Sequence, residues 1–144
     1  MDYAIVTDSC CNLTEATIDE LGIHILPLRF LVDGEEYRSY LKGEVTDLKQ
    51  FYTMMREGKV IKTSLPNMSE SEELVRGLLE KGKDVLFLGF SSALSGTYEA
   101  ADLLFQQLAP SYPNRRLIAI DTLAASGGQG LLVYHAARLA QEGK

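Results

Sequence analysis

The chain offers its chemistry through hydroxyl groups. Ser91-Ser92-Ala93-Leu94-Ser95-Gly96-Thr97 carries four of them between an apolar run and an amphipathic one. Such a loop presents backbone N–H groups, neutral O–H donors and the positive end of a helix dipole to one small anion, a phosphate or a carboxylate. Asp8-Ser9, Thr63-Ser64 and Asp121-Thr122 end other apolar runs with the same residue types. Leu65, Phe87, Phe90 and Leu94 surround them, so a guest with an apolar body behind a polar head fits best. Turn and capping chemistry uses Ser, Thr, Asp and Gly as well, and each loop taken alone reads more readily as punctuation; it is their convergence on one sheet edge that favours a site.

Other constellations fail on spacing. Gly77 to Lys83 spells GxxxxGK, but Asp84 replaces the hydroxyl residue that a phosphate loop needs, and the motif precedes a strand. Gly127-Gly128-Gln129-Gly130 is not GxGxxG. Ser91, Asp121 and His135 follow the chain order of an α/β-hydrolase triad. However, His135, Arg138, Gln141 and Glu142 form the polar stripe of a helix, which keeps the imidazole away from Ser91. With two histidines, His24 and His135, and no CxxC or HExxH, there is no ligand set for a metal. The adjacent Cys10 and Cys11 read as small packing residues, and no cofactor is called for.

Composition narrows the field further. At 144 residues one domain is expected, and 46% hydrophobic against 24% charged residues supports a folded core. A net charge of −6 excludes a broad cationic face for nucleic acid. No apolar run approaches the length of a membrane span, and the Met1-Asp2-Tyr3 start lacks a secretory pattern, so a cytoplasmic protein is expected.

The elements that must position these residues alternate between strand and helix. Ala4-Ile5-Val6 reads as a strand, followed by a helix capped at Asn12 or Thr14 that reaches Leu21 before Gly22. Ile23 to Leu26 and Leu28 to Val32 are extended, and Asp33-Gly34 predicts a hairpin back through Glu35 to Leu41, standing off the main sheet. Thr46 caps a helix with Leu48, Phe51, Tyr52 and Met55 on one face, and Val60-Ile61 opens a brief strand ending at Lys62-Thr63-Ser64. A Ser69/Glu72 capping box starts a third helix. Val85 to Leu88 and Leu117 to Ile120 are further strands, a helix runs between them through Leu108, and a last one spans about Gly130 to Glu142. The fold class is α/β: three layers with a central, mainly parallel sheet, helices on both faces and a β-hairpin. Ligands of such sheets bind outside the carboxyl ends of the strands.

Thr7-Asp8-Ser9, Lys62-Thr63-Ser64-Leu65-Pro66, Ser91-Ser92-Ala93-Leu94-Ser95-Gly96-Thr97-Tyr98, and Asp121-Thr122 with Gly128-Gln129-Gly130 resemble the DegV family, in family order across nearly the whole chain. The resemblance implies a two-domain fatty-acid-binding protein. Its acyl chain lies between the domains, and its carboxyl group is presented to a fatty-acid kinase subunit for phosphorylation. The carrier is not itself the catalyst. Carried across, Thr63 and Ser92 hold the carboxyl group, with Ser64, Ser91, Ser95, Gly96 and Thr97 in support. Residues 1–144 correspond to the N-terminal domain, cut from a longer parent. A small serine hydrolase using Ser91 and a non-catalytic interaction module are the competing readings.

Overall fold

The computed structural model describes residues 3–40, 42, 43 and 47–144. Its elements are β1 (Tyr3–Asp8), a 3₁₀ turn (Ser9–Cys11), α1 (Glu15–Leu21), β2 (His24–Leu26), β3 (Arg29–Val32), β4 (Glu35–Arg38), α2 (Leu48–Arg56) and β5 (Ile61–Ser64). These are followed by α3 (Met68–Glu80), β6 (Asp84–Gly89), α4 (Thr97–Leu108), β7 (Leu117–Asp121) and α5 (Ser126–Gln141).

Four strands form a parallel sheet in the order β2-β1-β6-β7. Alternation divides their side chains between two cores. Ala4, Val6, Val85 and Phe87 pack with α3 and α4, while Ile5, Ile25 and Leu88 pack with α1 and α5. Both faces of β1 and β6 are therefore buried, which explains why they read as unbroken apolar runs. The expected three-layer α/β fold is observed.

A second sheet, β4-β3-β5, is antiparallel. Asp33 and Gly34 turn the β3–β4 hairpin with φ of 50° and 93°, the positive values that a two-residue loop with matching twist requires. The segment ending at Thr63-Ser64 belongs to this sheet, whereas its position in the strand–helix alternation suggested the parallel one. Lys62, Thr63 and Ser64 are all exposed, and a strand with so little to bury cannot sit inside a parallel sheet.

Thr14 caps α1, accepting from Thr17 N–H, and Gly22 ends it in the left-handed region. Asn67, not the expected Ser69/Glu72 pair, caps α3: its side chain accepts from Glu70 N–H, so Ser69 falls inside the first turn. Asp47 caps α2, and the cap expected at Thr46 and the strand end at Leu41 lie outside the described residues. The last helix begins at Ser126, four residues before the expected start. Its glycines permit contact rather than break the helix: a Cβ on Gly130 would stand 2.4 Å from the Cys11 carbonyl oxygen. Leu131 and Leu139 of this helix are exposed.

Candidate functional site

Two strand ends and a helix are stitched together at the carboxyl edge of the parallel sheet. The Thr7 hydroxyl donates to Leu88 C=O at 2.7 Å and accepts from Gln129 Nε2 at 3.1 Å, joining β1, β6 and α5. Asp8 is fully buried, and its carboxylate accepts Phe90 N–H at 2.7 Å and Cys10 N–H at 3.0 Å. Burial pushes the Asp8 pKa up, partly offset by these donors. Gln129 is buried with its Oε1 unpartnered among the described residues. Asp8 and Gln129 thus organise the site from behind. Their types were visible in Thr7-Asp8-Ser9 and Gly128-Gln129-Gly130, but not that the two motifs meet.

In front of this layer a cavity of about 400 Å³ opens between the parallel sheet and the antiparallel one. Leu28, Phe30, Phe51 and Phe90 make it apolar, and Thr63, Ser9, Ser39 and Ser126 bring hydroxyls to its lining. Phe51 meets the Phe30 ring edge-on with centroids 5.1 Å apart, while Tyr37 stacks on Phe30 at 5.4 Å. Ser9 and Ser39 share a 2.6 Å hydrogen bond, and Ser9 Oγ accepts Leu28 N–H, tying the hairpin to the β1 loop. Phe30 and Phe51 escaped the sequence reading because the contact between β3 and α2 is tertiary. Cys10 also lines the cavity, with its thiol pushed up to about 12 by burial, and both cysteines are free.

Thr63 pairs with Phe30 across the β3–β5 ladder and shares its face. Ser64 pairs with Arg29 and, with Lys62, points to the other side. Arg29 nevertheless also lines the cavity, with its guanidinium engaged, donating to Glu36 and, at 2.6 Å, to Glu70, while its buried Nε has no partner among the described residues.

Ser91, Ser92, Ser95, Gly96 and Thr97 do not line this cavity, and their loop follows Phe90, which does. A Cβ at Gly96 would meet Leu65 at 3.9 Å, so the chain leaving Thr63 and Ser64 runs beside the start of α4, where Gly96 provides no side-chain cap. Ser91 is buried; its hydroxyl accepts Ala93 N–H and its C=O accepts Leu94 and Ser95 N–H. Ser92 donates its N–H to Asp121 Oδ1 at 3.2 Å, and its hydroxyl also bonds Asp121, holding that carboxyl below its ordinary value. Ser95 and Thr97 share a 2.8 Å bond. Ser91, Ser92, Ser95, Gly96 and Thr97 therefore form one group, with Thr63 on the cavity wall and Ser64 facing away from it. His135 is exposed on α5, as its periodicity indicated.

A family model described as "Uncharacterised protein, DegV family" matches residues 2–144. The chain belongs to the DegV family. A DegV domain-containing protein of Clostridium perfringens is 38% identical over 142 residues, covering 99% of this chain and 48% of that protein. The structure of a fatty-acid (stearic acid) binding protein from Eubacterium ventriosum superposes with a TM-score of 0.86 at 27% identity, covering 98% of this chain and 48% of that one. A DegV family protein from Thermus thermophilus, described by its fatty-acid binding, gives 0.84 at 34% identity over 100% of this chain and 49% of its own. The chain thus spans about half the length of the DegV relatives it matches. No helix among the described residues is long and apolar enough to cross a membrane.

Proposed function

We propose that the chain binds a long-chain fatty acid and presents its carboxyl group to a fatty-acid kinase subunit in the bacterial cytoplasm. The tail lies in the cavity walled by Leu28, Phe30, Phe51 and Phe90, and the observation that carries this reading is that apolar cavity opening at the strand ends with Thr63 on its wall. Thr63 and Ser92 hold the carboxyl group, supported by Ser91, Ser95 and Thr97 at the start of α4, where Gly96 carries no side chain, while Ser64 faces the other way. Arg29 is held by Glu36 and Glu70, which leaves the carboxylate with neutral donors and keeps it available for transfer. The fatty-acid binding of the stearic-acid and Thermus thermophilus relatives supports the assignment.

Residues 1–144 act as the first of two domains, and the second closes the open side of the cavity. The chain is a carrier rather than a catalyst: Ser91 is buried in its own turn and His135 lies on an exposed helix face. Native mass spectrometry of the purified protein, before and after adding stearate, tests the reading. A bound species of fatty-acid mass, weakened in Thr63→Val and Ser92→Ala, is expected. Failure to take up stearate at any concentration short of micelles would sink it.

A further inference from the structure

The two faces of the parallel sheet are covered unequally. On the α3/α4 side, Leu117 and Ala119 of β7 pack against the core. On the other side, Leu86 and Leu88 of β6 meet the α1/α5 core, but their register partners Ile118 and Ile120 are 50% and 44% exposed. The position of α5 explains this. Its Gln141 donates to Glu20 C=O of α1, so that flank faces the β2 end of the sheet. The opposite flank, toward β7, carries Leu132, Ala136 and Leu139 at the i, i+4, i+7 spacing of a packing ridge, with Leu132 47% and Leu139 45% exposed. The result is an apolar trough with β7 as its floor and α5 as its wall.

We propose that this trough seats an amphipathic helix supplied by the half of the polypeptide that the longer relatives carry beyond the matched region. A helix is about 10–12 Å across and strands lie about 4.8 Å apart, so α5 over β1 and β6 leaves room for one more helix above β7. The wall favours a helix over a strand: Ala136 between two leucines is a dent into which a facing side chain fits. The relatives are about twice as long as this chain, which provides the occupant. The proposal is independent of the fatty-acid site.

The test compares maleimide labelling of Ile120→Cys and Leu139→Cys in the 144-residue protein and in the same protein extended through its natural downstream residues, corrected for Cys10 and Cys11. Leu103→Cys, on the 55% exposed outer face of α4, is the control. Both trough cysteines are expected to react at least tenfold more slowly in the extended protein, with the control unchanged. Equal rates at either trough position would overturn the proposal. So would protection in the 144-residue protein that grows with concentration alongside a doubled mass, which would assign the trough to a second copy.

Discussion

Thr63 stands directly opposite Phe30 across the β3–β5 ladder, so a hydroxyl and an aromatic wall share one sheet face, about 5 Å apart. One residue further, Ser64 and Arg29 make the matching pair on the reverse face. Arg29 still reaches the lining of the same cavity, where Glu36 and Glu70 hold its guanidinium beside the Thr63 wall.

The Thr63 hydroxyl can be removed without changing side-chain shape. Thr63→Val should lower fatty-acid affinity about tenfold or more, since a hydrogen bond to a charged group contributes about 1.5–3 kcal/mol, and should leave thermal stability nearly unchanged at this exposed position. Stearate titration and thermal unfolding on the same preparation check this. Unaltered affinity with lowered stability would show that Thr63 serves the strand alone.

Gly130→Ala should destabilise the protein by about 1–3 kcal/mol, because the new Cβ would fall 2.4 Å from the rigid Cys11 carbonyl oxygen. Gly127, with nothing within 4 Å of its would-be Cβ, is the contrast: Gly127→Ala should be neutral or gain about 0.5 kcal/mol. Urea unfolding of both variants measures the difference.

The buried Asp8 carboxyl gives a pH signature. Its folded pKa lies above its ordinary value of 3.8, with burial as the largest cause, so folding favours the protonated form. That contribution is present below about 3.8 and is lost as pH rises through the raised folded value. The stability of the wild type relative to Asp8→Asn should therefore fall with increasing pH from about 3.8 upward. Urea melts across a pH series report it, and a difference that grows with pH would mean that the Phe90 and Cys10 N–H donors outweigh burial.

No esterase activity is expected. The Ser91 hydroxyl is occupied by Ala93 N–H, and His135 is turned to solvent. Turnover of p-nitrophenyl acetate that disappears in Ser91→Ala would contradict this.

What could be read from the sequence follows the range of the interactions. Val85 to Leu88 announced a doubly buried strand because periodicity and burial are local consequences of one another. Thr14 and Gly22 were legible as helix ends for the same reason. Thr63 and Phe90 were named, but not the wall formed by Phe30 and Phe51, because nothing in β3 or α2 alone indicates that they meet. Strand–helix alternation alone places Ile61–Ser64 in the parallel sheet, and only its antiparallel pairing with β3, a tertiary contact, assigns it to the second one. The start of the last helix at Ser126 rather than near Gly130 was not legible, because the close approach of Gly130 to Cys11 involves residues far apart in sequence.

The central position of β1 also sets an order of events during synthesis. Thr7 reaches across to Leu88, 81 positions later, and the whole β1–β6 ladder has the same reach. At about 5–20 residues per second a ribosome needs about 4–16 s to supply that partner. Through that interval β2 is there to pair with β1 and α1 to cover Ile5, while Ala4 and Val6 belong to the opposite face that α3 and α4 cover, and the apolar strand at the start of the chain is exposed to aggregation until β6 emerges.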